Sequence, residues 1–224
     1  MSETWWGHNG GMAFLLRLRL PDVPGSLGSV ATALGAAGAD IEAIEIVERR
    51  ADGTVVDDVL LQLPPSVMPD GLVTACHAVD GVEVEWISRY AAGASLTMDL
   101  ETVEAFTAEP SQAIARMIDL LPTTFRSDWA VAVCAGDGAP DLLAASATAP
   151  ELVPEARDWL GIDAAQPLTA VSQWESTVLV GAPAKTRDGQ ACVVVLGRHG
   201  GPEYLASEVA RLSHIVTLAA SVQI

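Results

Sequence analysis

The stretch whose residue types and spacing point most directly to chemistry is Asp22-x-Pro24-Gly25-x-Leu27, within Leu20–Leu27. Pro24 pre-sets φ for a turn or a first helical position. Gly25 removes a Cβ where chain or ligand must come close. The helix expected next opens with unpaired N–H groups, which attract a carboxylate or other anion. Elsewhere the chemical signals are thin. No G-x-S-x-G, P-loop, H-E-x-x-H or dinucleotide fingerprint is present. Acidic residues are plentiful, yet no two are spaced as a paired general acid and base, so no catalytic residue is named. His8, His77, His199 and His214 are scattered and give no metal-site spacing. The Gly-rich stretches Gly7–Gly11 and Arg198–Gly201 read as a segment before the first strand and as a plain turn.

Three cysteines, Cys76, Cys134 and Cys192, sit far apart in apolar segments. They form neither a C-x-x-C pair nor an even count, which predicts reduced, buried thiols in a cytoplasmic protein. A net charge of −17 argues against a nucleic-acid or anionic-membrane surface. Half of the 224 residues are hydrophobic and 18% are charged, enough apolar material for two modules with their own cores. No apolar run approaches the roughly 18 to 20 residues of a membrane span. The first residues, MSETWWGHNGGMAF, lack the basic and apolar regions of a signal peptide. They read as a disordered leader or, through Trp5 and Trp6, a docking tail.

The elements that must position the Asp22 loop follow from periodicity. Residues 13–20 alternate, with Phe14, Leu16, Leu18 and Leu20 on one face and Arg17 and Arg19 on the other. Residues 26–37 place Leu27, Val30 and Leu34 at helical spacing; Gly28 and Gly35 lower intrinsic helicity, so close packing must compensate. Gly38 suits a left-handed cap. Asp40–Arg49 and Gly53–Leu63 read as two strands joined by a hairpin at 51–53. Residues 69–79 give a second helix with Leu72, Cys76 and Val79 inward, and 82–86 a fourth strand. The order βαββαβ is the split repeat of ferredoxin-like folds, with strand order 4-1-3-2 and both helices on one face. In that order Arg17 and Arg19 face Glu83, Glu85 and one of Asp57 or Asp58.

That order, with Asp22-x-Pro24-Gly25-x-Leu27 at the first turn and Gly38 before Asp40-Ile41, resembles an ACT domain over residues 12–88. The resemblance implies a regulatory module that pairs with a second copy and holds an amino acid between them. Asp22, Val23, Pro24, Gly25, Ser26 and Leu27 would line the ligand, with Asp40 and Ile41 contributed across the interface. Where the family often has Asn, this chain has Asp40, which can only accept hydrogen bonds while ionised. Asp22 and Asp40 together would suit an ammonium, leaving a ligand carboxylate to backbone N–H groups.

Residues 88–98 are small and weakly patterned, as in a linker. Beyond them, a helical stretch from Asp99 ends at Pro122. Strands follow at 129–134 and 142–147, a short helix at 150–160 and a weak strand at 167–172. Two strong strands, 176–183 and 191–197, flank a hairpin turn at 187–189. A terminal helix covers about 202–221, with Leu205, Val209, Leu212, Ile215, Val216 and Ala219 on its apolar face. This is an α+β pattern with an antiparallel sheet. Over residues 99–224 it is similar to a GAF-type sensor domain, PAS- and profilin-like sheets being the competing folds. The cyclic-nucleotide and bilin features of that family are not visible, and no cofactor is implied.

The expectation is a cytoplasmic, non-enzymatic regulatory protein: an ACT-like module at 12–88, then a GAF-like module at 99–224. It would form a homodimer, bind an amino acid at the first loop and contact a further protein partner. Two rivals stand beside it. One is a dimerisation scaffold with an empty loop; the other is an enzyme with a cryptic site among residues 125–200.

Overall fold

Alternating apolar residues pair into β1 (Met12–Pro21), β2 (Asp40–Arg49), β3 (Thr54–Leu63) and β4 (Glu83–Arg89), with α1 (Ser26–Ala36) and α2 (Pro69–His77) between them. The computed structural model describes residues 12–89, 94–137, 139–169, 171 and 173–223; the leader with Trp5, Trp6 and the Gly7–Gly11 run lies outside the described residues. The chain divides into two compact units, residues 1–92 and 93–224.

In the first unit the sheet order is β2-β3-β1-β4, all neighbours antiparallel. This is the ferredoxin-like order expected from the element sequence. Phe14, Leu16, Leu18 and Leu20 of β1 pack with Val55, Val59, Leu61 and Leu63 of β3 against Val30 and Leu34 of α1 and Leu72 and Cys76 of α2. Gly38 and Gly53 take φ of +90° and +82°, so both chain reversals use backbone that side-chain-bearing residues avoid. Arg17 is 1% exposed and donates two hydrogen bonds to Asp58, at 2.7 and 2.9 Å. Arg19 pairs with Glu83 and lies 3.8 Å from Glu85. The charges on the sheet thus pair across β1, β3 and β4 as anticipated, with Asp58, not Asp57, on the arginine face.

The second unit contains α3 (Ala94–Ala108), a 3-10 turn at Pro110–Gln112, α4 (Ala113–Thr124), β5 (Trp129–Ala135), β6 (Pro140–Ala145), a 3-10 helix at Pro154–Gly161, β7 (Gln166–Leu168), β8 (Thr177–Lys185), β9 (Ala191–His199) and α5 (Ala206–Ser221). Its sheet runs β6-β5-β9-β8-β7, all antiparallel. One face packs on helices through Phe106, Met117, Ile118, Leu121, Leu212 and Val216. The other is covered by the 3-10 helix through Val153, Ala156 and Trp159. Both units are α+β with antiparallel sheets.

Several boundaries differ from the sequence expectation. The stretch 88–98 is not all linker: Ser88 pairs with Leu15 in the sheet and α3 begins at Ala94. Weak apolar patterning hid a strand end and a helix start that tertiary pairing fixes. Pro122 does not end its helix, which continues to Thr124 because Ile114, Met117, Ile118 and Leu121 hold it in the core. The terminal helix starts at Ala206, not Pro202; Glu208 accepts a hydrogen bond from the Leu205 N–H at 2.8 Å and sets the start there. The 154–161 segment is 3-10, with Pro154 in its first turn. Gly28 and Gly35 have nothing within 4 Å of an added Cβ, so close approach does not explain either.

The cysteine expectation is corrected most clearly. Cys134 and Cys192 form a disulfide, Cα atoms 4.0 Å apart, rather than two reduced thiols. They are directly opposed on β5 and β9, a register that sequence spacing alone cannot show. Cys76 is a buried free thiol, and burial pushes its pKa to about 11.

Candidate functional site

The first loop turns the chain from β1 into α1. It is anchored where the Asp22 N–H donates to the Gly53 carbonyl at 2.9 Å, tying it to the β2–β3 hairpin. Gly25 occupies the N-cap position with φ +96°. Nothing lies within 4 Å of an added Cβ there, so the glycine serves the left-handed backbone and not a close approach. No side chain caps α1 and no acidic residue stands in its first turn. The Ser26 N–H donates to the Val23 carbonyl at 3.2 Å, and the N–H groups of Leu27 and Gly28, with the helix dipole, are open to an anion.

The charged groups at the loop come from all three neighbouring segments. Arg49, the last residue of β2, donates from Nη1 to Asp22 Oδ2 at 2.8 Å, with both side chains largely in solvent. Val23 is 59% exposed at the loop tip. Asp57 lies on β3, opposite Leu18 of β1 and Ile46 of β2. It alternates with the core residues Val55 and Val59 and so belongs to the helix-covered face, three rungs from the loop end of the sheet. Asp57 is 1% exposed, and its Oδ1 has no hydrogen-bond partner. Burial raises its pKa above the ordinary carboxylate value; the charge of Arg49 opposes the rise, while those of Asp22 and Asp58 add to it.

The residues expected from sequence separate into two places within one copy. Asp22, Val23, Pro24, Gly25, Ser26 and Leu27 lie together at the loop and the first turn of α1. Asp40 and Ile41 pair with Gln62 and Leu61, whereas Pro21 pairs with Thr54. Eight residues of β3 thus separate the two groups, about 27 Å at a strand rise near 3.4 Å. A single copy cannot bring Asp40 to the Asp22 loop. Arg49 and Asp57 were missed by the sequence reading: Arg49 is distant in the chain, and Asp57 was grouped with Asp58 as an alternative partner for arginine. The signal for Asp57 was available in the β3 alternation, which puts it in phase with valines and leucines.

In the second unit, Trp129 fills much of the sheet face away from the helices. Its ring lies over Gly197, where an added Cβ would fall 2.1 Å from the indole. Trp174 packs edge-on against Trp129 and at a tilt against Trp159, at centroid distances of 5.3 and 5.9 Å. A half-open cavity of about 340 Å³ lies beside this cluster, lined by Glu155, Asp158, Trp159, Gln166, Leu168 and Thr169 among others. Arg198 does not offer an anion site: it is 1% exposed and donates to Glu208 at 3.0 Å and to the carbonyls of Phe125 and Pro202. Among the described residues no group of His, Cys, Asp or Glu is arranged to hold a metal, and no helix is long and apolar enough to cross a membrane.

No protein-family profile matches the chain, and no curated protein is similar to it at a significant level. Among solved structures, it is similar to the GAF domain of a phosphoenolpyruvate-protein phosphotransferase from Coxiella burnetii, at 16% identity and a TM-score of 0.43, covering 57% of this chain and 89% of that one. The corresponding GAF domain from Acinetobacter gives 14% identity and a TM-score of 0.42, covering 57% and 90%. A protein described as a glycine cleavage system transcriptional repressor is similar over 92% of this chain and 90% of its own, at 10% identity and a TM-score of 0.29. The α+β architecture itself rests on the strand orders described above.

Proposed function

We propose that the chain is a non-enzymatic regulatory protein whose first unit binds an amino acid at the Asp22 loop. The observation that carries this is the uncapped start of α1 standing beside the Arg49–Asp22 ion pair. Such a site offers N–H donors and a guanidinium to a carboxylate, with a carboxylate of its own for an ammonium. A homodimer completes the site in this reading. Asp40 and Ile41, distant from the loop in one copy, would reach it from the second. The second unit, GAF-like in strand order, would couple ligand binding to a protein partner. A cytoplasmic setting is part of this proposal, and its reducing environment would act on the Cys134–Cys192 bridge.

Thermal unfolding of dialysed protein against each common L-amino acid tests the proposal, with Asp22→Ala and Gly25→Val as loop variants. A ligand at 100 times its dissociation constant adds about 2.7 kcal/mol to stability, an easily measured rise in Tm. One amino acid should raise Tm; Gly25→Val, which the left-handed backbone at the start of α1 does not tolerate, should abolish that rise, and Asp22→Ala, which removes the partner of Arg49, should change its size. A folded dimer that responds to none of them would instead be the empty-loop scaffold.

A further inference from the structure

Asp57 has no structural reason to be where it is. Every other described position of β3 that faces the helices and is buried carries an apolar side chain: Val55, Val59, Leu61 and Leu63. A carboxylate in that row loses its hydration, and a buried oxygen without a donor costs free energy that valine at the same position would not. Arg49, the cation whose charge acts on Asp57, is held at the surface by Asp22. A buried polar group left unsatisfied in a folded chain calls for an explanation, and a bound water, ion or ligand group is one.

The position fits such a partner. Asp57 is close enough to Asp22 and Arg49 for their charges to act on it. It also lies in phase with Val55 and Val59, which pack with Val30 and Leu34 of α1, three rungs from the end of the sheet where α1 begins. We propose, building on the amino-acid reading above, that Asp57 is the ammonium-binding group of the first-loop site. The ligand's protonated amine donates to the buried Asp57 oxygen, while its carboxylate is held by the start of α1 and by Arg49 drawn from Asp22. A zwitterion brings no net charge: the exchange pairs Arg49 with the ligand carboxylate and the buried Asp57 with the ligand amine, and leaves Asp22, the exposed carboxylate of the three, to water. The ligand class is thereby narrowed to primary amines bearing a carboxylate; 2-hydroxy acids, 2-keto acids and N-acylated amino acids are rejected.

Calorimetric titration of the full-length protein with the common L-amino acids, then with the 2-hydroxy acid matching whichever binds, separates the two levels of this inference. Wild type should bind the amino acid at least about tenfold more tightly than its 2-hydroxy counterpart, the range of a charge-assisted hydrogen bond. Asp57→Asn should erase that preference, weakening the amino acid about tenfold and leaving the hydroxy acid unchanged. Asp57→Asn removes an unpaired buried charge, so it should fold at least as stably as wild type; Asp57→Ser provides a second folded variant. Equal binding of the two compounds to wild type, or an unchanged preference in both variants, would overturn the role of Asp57 while leaving the first-loop site standing. Absence of binding by any amino acid to folded wild type would remove the first-loop reading, and this assignment with it. Binding that persists in Gly25→Val, Arg49→Ala and Asp57→Asn alike would place the ligand elsewhere and overturn both.

Discussion

Arg49 Nη1 stands 2.8 Å from Asp22 Oδ2, joining the last residue of β2 to the loop that opens α1. Both side chains are roughly half exposed, at 59% and 46%. Exposed pairs of this kind contribute about 0 to 1 kcal/mol, because side-chain entropy and solvent screening offset the attraction. Arg49→Ala and Asp22→Ala should therefore each shift ligand-free stability by less than about 1 kcal/mol in urea unfolding. A larger loss would make the pair a structural tie and weaken its assignment to ligand binding.

Asp57 should make stability fall with rising pH. Its folded pKa is raised above the ordinary value of 3.8 by burial and by Asp22 and Asp58, with Arg49 opposing. Between the ordinary and the raised value the folded state binds more protons than the unfolded state, so unfolding free energy declines as pH climbs through that window. Below the ordinary value Asp57 is protonated in both states and the penalty vanishes. Asp57→Asn should thus be more stable than wild type at neutral pH, by about 1 kcal/mol or more. The difference should close as pH falls below about 4, where an ordinary aspartate is itself protonated. Denaturant melts of both proteins across this range measure it; a constant difference would mean that Asp57 is paired in solution.

The first unit was readable because each signal agreed with the next. Period-two alternation in β1 and β3, helical spacing at Val30 and Leu34, and glycines at 38 and 53 all implied one topology. The cross-strand charges of Arg17 and Arg19 even indicated the register. Of the proposed site, only the contiguous part, Asp22 to Leu27, was legible. Arg49 joins it through a hairpin, and Asp57 only through strand phase, so neither shows as a motif. In the second unit the same limit appears as the Cys134–Cys192 bridge. Its 58-residue separation carries no pairing information until β5 and β9 are set side by side. Helix limits at Ala94, Thr124 and Ala206 depended on core packing and on the Glu208 carboxylate, both of which are tertiary.

The buried Arg17–Asp58 pair should behave quite differently from the exposed one. Its two hydrogen bonds are desolvated, with Arg17 1% exposed. Removing one partner strands a buried charge, at a cost of about 3 to 5 kcal/mol. Asp58→Ala should reach that range in equilibrium unfolding. The double replacement Arg17→Met with Asp58→Leu should recover most of the loss, since well-packed apolar residues avoid the desolvation altogether. Additive effects of the two changes would show that the residues do not depend on each other.

The disulfide makes the second unit sensitive to reductant. Closing a loop of 58 residues restricts the unfolded chain by about 4 kcal/mol in the chain-entropy account. Cys134→Ala with Cys192→Ala, or treatment with dithiothreitol, should lower stability by up to that amount and leave the first unit unaffected. Thiol counting under denaturing conditions provides the direct check. Without reductant one cysteine, Cys76, should alkylate; after reduction all three should. In the native protein Cys76 should resist alkylation, being buried with a pKa near 11 and therefore almost without thiolate. Three reactive thiols in unreduced, denatured protein would show that the pair stays open. Facing cysteines on β5 and β9 would then add packing to the sheet but no constraint on unfolding.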